Sequence, residues 1–128
     1  IPKPLWRHGA CFLSCVMLDR VALRLEQYMD LVSARQKLVA ANIANADTPG
    51  YKTQDIDFQA ELRNFIEDTA PRPVEVAGLK TKNDGNNVSL DREARLLAEN
   101  ALRFTVASTL ARAEIRAVRS AIKEGRSA

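Results

Sequence analysis

The sequence predicts an all-α protein. Long N- and C-terminal helices pair as an antiparallel, coiled-coil-like hairpin, with a short helix and an irregular loop between them. Hydrophobic residues make up 46% of the 128 residues but aromatic residues only 5%, and an apolar content of Ala, Leu and Val suits helices better than a sandwich or a barrel. Both ends of the chain carry apolar residues at heptad spacing, whereas Pro71 and Pro73 break the middle. The length is enough for one domain.

The first 16 residues differ in composition from the rest of the chain. The only Trp, the only His and both Cys lie before Met17, at Trp6, His8, Cys11 and Cys15. Two interpretations are open: a real N-terminal extension, or an upstream stretch translated ahead of a natural start at Met17. The composition favours the second. We therefore expect residues 1–16 to be an atypical extension and residues 17–128 to form a single domain.

Three sharper interpretations of this segment are disfavoured. A secretory signal would need a small-residue cleavage site after the apolar run, and a lipoprotein signal would need a small residue nearer the Cys. A metal site would place its four ligands on one helix face, which rarely suffices to surround zinc; these ligands would be His8, Cys11, Cys15 and Asp19. The apolar run is also far shorter than the ~20 residues that a membrane span needs.

The N-terminal helix is predicted from about residue 18 to residue 46. Its apolar residues alternate spacings of three and four, which is a heptad pattern, and they are Leu18, Val21, Leu25, Tyr28 and Val32. Arg35 interrupts this pattern and Val39 resumes it, while Leu31, Leu38 and Ile43 widen the apolar stripe. Because no Gly or Pro occurs in this range, we expect one continuous helix.

The C-terminal helix is predicted over residues 89–124 and has the more regular pattern. Ser89 is suited to cap its N-terminus, where Asp91 and Glu93 favour the helix dipole, and Gly125 marks its end after Lys123. The apolar and small residues on this heptad pattern form what we call the seam: Leu97, Ala101, Ser108, Ala111, Ile115, Val118 and Ile122, with Phe104 between Ala101 and Ser108. We expect the seam to be covered partly by the N-terminal helix and partly by a partner.

The middle region, residues 47–88, has weaker patterns. Asp57 is suited to cap a short helix, whose apolar residues would be Phe58, Leu62, Phe65 and Ile66. Val74 and Val76 alternate with polar residues, which is a faint indication of a strand. Residues 82–87 predict a turn or a mobile loop.

The residues that usually carry chemistry are missing or poorly arranged. Without Lys3 and Arg7, the 19 basic residues fall to 17 against 16 acidic residues, so the chain after Met17 offers no basic face for nucleic acid. Asp55 and Asp57 could act as paired carboxylates, but a solvated turn with a helix cap is the favoured interpretation. The segment Asp84-Gly85-Asn86 matches neither a phosphate loop nor a calcium loop. We expect no enzymatic activity, no cofactor, no metal and no small-molecule substrate.

One motif at the end of the N-terminal helix needs more than a helix stop to explain it. Thr48 precedes Pro49, and Pro49-Gly50 is typical of the centre of a type II turn. Asn42 and Asn45 lie three residues apart on the last helical turns. Capping explains Asn45 but not Asn42, because Asn is unfavourable inside a helix. A polar residue at such a place more often fixes register or a partner.

The chain resembles the rod and hook family of flagellar axial proteins. The matching segment is Asn42-Ile43-Ala44-Asn45-Ala46-Asp47-Thr48-Pro49-Gly50-Tyr51-Lys52, and its continuation Asp55-Ile56-Asp57-Phe58 is similar to the proximal rod members. Asn100 and Phe104 stand where the family has an Asn followed four residues later by Tyr or Phe. The segment from Asp84 to Glu93 also resembles the family's lead into the C-terminal helix. The likeness runs from Met17 to about Lys123, with Ser89 where an acidic residue is common and no counterpart for residues 1–16.

The resemblance implies a structural subunit of the proximal rod that serves cell motility. It implies assembly with other copies, other proximal rod proteins, the basal-body adaptor of the membrane ring and the export gate. It implies the periplasmic rod of the basal body as location, reached through the flagellar type III apparatus without a cleaved signal. A generic coiled-coil adaptor or a secretion chaperone is the alternative. Such a protein would share the heptads but has no reason for Asn42, Asn45 and the Pro-Gly turn together.

Overall fold

The computed structural model describes residues 9–64 and 71–126, with side chains from Arg20 onward in these ranges. In chain order its elements are α1 (Gly9–Ala44), β1 (Gln54–Ile56), α2 (Phe58–Arg63), β2 (Pro73–Glu75) and α3 (Leu90–Arg126). The protein is therefore mostly helical, with two long helices as the sequence predicted, but two short strands show that it is not all-α. Trp6, His8, Phe65 and Ile66 lie outside the described residues, and so do the side chains of Cys11, Cys15 and Asp19.

Both long helices extend further than the sequence predicted. α1 begins at Gly9 instead of residue 18, because nothing between Ala10 and Met17 breaks a helix. It ends at Ala44, two residues before the predicted end at residue 46, where the Asn45–Pro49 turn begins. α3 runs to Arg126, through Gly125; a glycine lowers helix propensity by about 1 kcal/mol, which does not stop a long helix.

The middle region contains a small antiparallel sheet of two strands, and the sequence pattern indicated only one of them. β1 pairs with β2 so that Gln54 lies opposite Glu75 and Ile56 opposite Pro73. Beyond the ladder, the Val76 amide donates to the Thr53 carbonyl at 3.0 Å. The faint strand pattern near Val74 thus corresponds to β2, whereas β1 was not foreseen, because a three-residue strand is too short for alternation to show.

The described hydrophobic core lies between α1, β1 and α2. It consists of Leu31, Val32, Ile56 and Phe58, with Tyr28, Ala34 and Leu38 packed against it. On α1 the buried face continues through Arg35, Val39 and Asn42, at the spacings of three and four that one helix face requires. Arg35, which interrupts the heptads in the sequence, therefore belongs to the buried face.

The buried residues of α3 are different from the predicted seam. They are Glu93, Asn100 and Ala107, seven residues apart, and they lie beside the seam on the helix surface. Most of the seam is exposed or half-buried in the single chain. The row that contains Glu93 and Asn100 can be buried because both side chains find hydrogen-bond partners on α1, which offsets the cost of removing polar groups from water.

No helix among the described residues is both long and apolar enough to cross a membrane.

Candidate assembly site

Side-chain hydrogen bonds within the turn after α1 stabilise it, and Pro49 and Gly50 favour its backbone conformation. Asn45 Nδ2 donates to the Ala41 carbonyl at 2.8 Å, and Thr48 Oγ1 donates to Asn45 Oδ1 at 3.1 Å. The Tyr51 amide donates to the Thr48 carbonyl at 3.3 Å, and Gly50 has a φ of 74°. A type II turn needs positive φ at this position, which explains the glycine.

Asn42 lies at the centre of the site and is fully buried, with 0% exposure. Its amide nitrogen donates to the Gln54 carbonyl at 2.8 Å and to Glu93 Oε2 at 3.0 Å. Its oxygen accepts from the Gln54 amide at 3.1 Å and from Tyr51 Oη at 3.2 Å. All four hydrogen-bonding positions of the side chain are thus used. Asn42 thereby joins α1 to β1, to the motif's own Tyr51 and to α3.

The loop of residues 82–88 is bound onto this turn. Asn86 Nδ2 donates to the carbonyls of Asn45 at 2.9 Å and Thr48 at 2.8 Å. Asn87 Oδ1 accepts from the Thr53 amide at 2.7 Å, and the Gly50 amide donates to the Asp84 carbonyl at 3.0 Å. The two segments that carry the family resemblance are therefore in direct contact. The sequence predicted a turn or a mobile loop over residues 82–87. The turn is confirmed, since the Gly85 amide donates to the Lys82 carbonyl at 3.0 Å, and these asparagines supply the partners that the backbone needs.

A buried ion-pair network lies next to Asn42, and we call its members the polar junction: Arg35, Asn42, Asp55, Arg92 and Glu93. Arg35 forms two hydrogen bonds to the carboxylate of Asp55, at 2.9 and 3.1 Å. Arg92 donates to Asp55 Oδ2 and to Glu93 Oε1, both at 2.6 Å. Asp55 of β1 is thus held between an arginine of α1 and an arginine of α3, and charge-assisted contacts of this kind are the strong ones.

The balance of burial and pairing sets the charge state of Asp55. Burial alone would raise the pKa of this carboxyl, but hydrogen bonds from Arg35, the Ile56 amide and Arg92 outweigh it, so the pKa lies below its ordinary value. Burial likewise opposes the charge of Arg35, and the contact with Asp55 raises the pKa of the guanidinium nonetheless. The interpretation of Asp55 as part of a solvated turn is therefore wrong: it is a buried, ionised partner of two arginines.

Asp57 and Phe58 position α2 and the aromatic part of the core. Asp57 Oδ1 accepts from the Ala60 amide at 3.0 Å, which confirms the predicted cap. Phe58 meets Tyr28 edge-on, with ring centroids 5.5 Å apart, and the guanidinium of Arg103 lies 4.1 Å from its ring centre. Phe58 thus connects α2 with both long helices.

The remaining motif residues lie in two places. Ile43, Pro49 and the seam's Leu97 and Ile122 are among the exposed residues. Asn100 is buried on α3 and donates to Gln36 Oε1 of α1 at 3.3 Å, whereas Phe104, one turn further on, is exposed. The structure therefore brings Asn42, Tyr51, Asp55 and Phe58 together near α3, and leaves the seam and Phe104 on the surface.

Sequence reasoning did not single out several residues of this site. They are Arg35, Thr53, Asn86, Asn87, Arg92 and Glu93. A signal existed for Arg35. The apolar heptad pattern resumes at Val39, one turn later, so Arg35 lies on the apolar face of the helix, and a charged side chain there must be either exposed or paired. Adjacent Asn86 and Asn87 before a helix cap were a second signal, since Asn side chains complete backbone turns.

The site carries no arrangement for catalysis among the described residues. Its titratable groups are paired with one another, and the described part of the chain contains no cluster of three His, Cys, Asp or Glu side chains that could hold a metal ion. What the geometry does supply is rigidity: three chain segments are joined by charged and amide hydrogen bonds around Asn42 and Asp55.

Comparison with known proteins identifies the family of this chain. Residues 29–52, which include Arg35, Asn42 and the turn, match the family model described as flagella basal body rod protein. Flagellar basal body rod protein FlgB of Yersinia ruckeri is 31% identical, over 85% of this chain and 100% of its own length. The proteins of the same name from Salmonella typhimurium and Escherichia coli K12 are 32% and 31% identical, each over 85% of this chain and 99% of their own length. This chain therefore belongs to the family of flagellar basal body rod proteins.

Proposed function

We propose that this protein is a structural subunit of the proximal rod of the flagellar basal body and assembles with other copies and with other rod proteins. The observation that carries the proposal is the apolar face of α3. Leu97, Ile115 and Ile122 are large hydrophobic side chains of the seam that stay exposed in the single chain. Contiguous apolar surface of this kind marks a protein interface.

The arrangement of the long helices supports the same proposal. We infer that α1 and α3 form an antiparallel, coiled-coil-like hairpin within one domain of residues 17–128. Asn42 contacts Glu93, and Gln36 contacts Asn100. The α1 residue nearer the N-terminus thus contacts the α3 residue nearer the C-terminus, as two antiparallel helices require. In such a hairpin the polar junction holds the helices at one end and leaves the seam available to neighbouring subunits.

The partners and the location are part of the proposal. The proteins that this chain resembles are named as basal body rod proteins. We propose the other proximal rod proteins, the basal-body adaptor of the membrane ring and the export gate as partners. Export would follow the flagellar type III route, without a cleaved signal, to the periplasmic rod. We propose no catalytic role and no cofactor.

Deletion of the gene tests the function. We expect loss of motility and basal bodies that lack rods by electron microscopy, with restoration by the gene supplied in trans. Normal flagella in the deletion strain would contradict the proposal.

Replacement of the asparagines tests the motif. Asn42→Ala together with Asn45→Ala should leave export unchanged, because export does not require the folded junction in this proposal, but should impair rod assembly. If rods assembled normally from the double variant, the two asparagines would be capping residues only.

A further inference from the structure

A groove lies between α1 and α3 along the later part of the seam. Its cavity of about 500 Å³ is lined by Leu25 and Met29 of α1 and by Ala111 and Ile115 of α3. Ile115 is 53% exposed, so the single chain leaves this part of the seam open to solvent. We call this surface the α1–α3 groove.

The α3 side of the groove has an edge of basic side chains. At 100° per residue, they lie on average about 60° from Ile115, on the side away from the buried Ala107. Arg119, one of them, also lines the cavity. All are exposed and follow one another at spacings of four and three. We call them the basic edge: Arg112, Arg116, Arg119, Lys123 and Arg126.

The sequence of α3 does not balance the basic edge with acidic residues. Earlier in the helix, Glu99 forms an ion pair with Arg103, one turn away. By contrast, no acidic residue stands three or four positions from any member of the basic edge, whose nearest neighbours at these spacings are basic. Like charges one turn apart destabilise a helix. The helix dipole favours basic residues only in the last turn, so it does not account for Arg112 and Arg116. The basic edge therefore indicates a negatively charged partner.

The α1 side of the groove has the opposite charge. Glu26 and Asp30 line the cavity one turn apart, and both are exposed. The groove thus has an apolar centre between a basic edge on α3 and an acidic edge on α1. A helix that fits it has an apolar stripe with acidic residues along one side and basic residues along the other.

The sequence indicates that a second copy does not supply this helix. A helix that matches the basic edge needs a run of acidic residues at spacings of three and four. This sequence contains no run of three acidic residues at these spacings, only pairs such as Glu26 and Asp30. The matching helix therefore belongs to a different protein.

We propose that the α1–α3 groove binds a helix of a different rod protein, whose acidic residues contact the basic edge and whose basic residues contact Glu26 and Asp30. The proposal rests on the proposed function and adds the chemistry of the partner. Such a helix fits in one direction only, because reversing it would exchange its two edges and place like charges together. The groove therefore selects both the partner and its orientation.

Binding of synthetic helical peptides tests this chemistry. The first peptide has Leu at heptad positions, Glu along one edge and Lys along the other, and the second has Lys along both edges. We expect the full-length protein to bind the first with a Kd at least about tenfold lower, because several ion pairs add up although each exposed pair is weak. Fluorescence anisotropy measures both Kd values. Added salt should weaken binding of the first peptide, because it screens exposed charges.

One charge reversal and a matched control locate the contact. Arg116→Glu should reduce the preference for the first peptide, because it places a carboxylate on the basic edge. Lys80→Glu reverses a charge at an exposed position outside α3 and should bind both peptides like the unchanged protein. Circular dichroism checks that both variants are folded.

Equal Kd values for the two peptides, or an unchanged preference in Arg116→Glu, would overturn the proposal. So would self-association of the unchanged protein that Arg116→Glu abolishes, which would indicate a second copy as the occupant. Tighter binding to phosphatidylglycerol vesicles than to the first peptide would overturn it in favour of a membrane surface. The gene deletion separates this proposal from the proposed function: basal bodies without rods would support the function whatever the peptides do, and normal flagella would contradict it even if the first peptide binds.

Discussion

The two ends of the α1–α3 pair are built in different ways. At one end, the polar junction places Asn42, Asp55 and Glu93 in the interior and pairs their side chains within the chain. At the other end, Leu25 and Met29 of α1 line an open apolar groove, and Glu114 has a buried oxygen without a donor among the described residues. The first end is complete in one molecule, and the second is not.

This difference separates folding from assembly. Buried ion pairs and amide hydrogen bonds are directional, so they define one relative position of the helices, and removing one partner is costly. An apolar stripe is not directional and can be covered by any complementary surface. We infer that the polar junction defines the subunit and that the groove and seam define its neighbours. Changes in the polar junction should therefore lower the free energy of unfolding, whereas changes in the seam should weaken assembly and leave the stability of the isolated chain nearly unchanged.

Asp55→Asn should have the largest effect on stability. It removes the carboxylate that the buried Arg35 and the partly buried Arg92 share, and breaking a buried pair costs about 3–5 kcal/mol. Urea unfolding followed by circular dichroism measures the loss. Asp57→Asn is the matched control, because Asn also caps a helix and Asp57 is exposed; its effect should be small. Equal losses for the two variants would refute the special role of Asp55.

Asn42→Ala should come next, with a loss of about 2–3 kcal/mol. It leaves Glu93 short of one donor and the Gln54 amide and Tyr51 hydroxyl without an acceptor, and each buried unpaired group costs about 1–3 kcal/mol. Asn45→Ala removes a local contact on the surface and should cost less than about 1 kcal/mol. Comparison of the two unfolding midpoints checks this order, and a reversed order would show that the turn, not the junction, limits stability.

The pH dependence of stability should report Asp55. The pKa of this carboxyl is lowered in the folded protein from the ordinary 3.8, so its contribution is fully present above the ordinary value. The contribution is lost as the pH falls through the folded pKa, where protonation breaks the contacts with Arg35 and Arg92. Unfolding free energies measured from neutral pH downward should fall less steeply in Asp55→Asn than in the unchanged protein. Parallel curves would contradict the role of Asp55.

Ile122→Ser should have the smallest effect on the isolated chain. Ile122 is an exposed seam residue, and surface substitutions usually change stability by less than about 0.5 kcal/mol. In cells the same variant should reduce motility, because the seam would lose contact area with a neighbouring subunit. Swimming in soft agar measures this, and full motility with unchanged stability would show that this part of the seam has no assembly role.

Much of the fold could be predicted because its signals are local. Heptad spacing indicates both long helices, Pro49-Gly50 indicates the turn, and Asp57 indicates the start of α2; each depends on the backbone preferences of a few neighbouring residues. The site was predicted less completely. Asn42 was singled out because Asn is unfavourable inside a helix, whereas Arg92 and Glu93 look like ordinary first-turn charges of a solvated helix. Their burial depends on Asp55 and Asn42, which are 37 and 51 residues away in the chain.

The sequence by itself determined the mostly helical fold, the end of α1 and the family likeness of the motif, because helix propensity, proline geometry and residue identity are properties of short segments. Only the tertiary structure decided which face of α3 is buried. The seam is more apolar than the row of Glu93, Asn100 and Ala107, yet this row is buried against α1. The reason is that a heptad pattern reports that a face will be covered but not by which molecule. The long-range hydrogen bonds of the polar junction determine which face of α3 is buried: the polar row faces α1, and the seam stays on the surface.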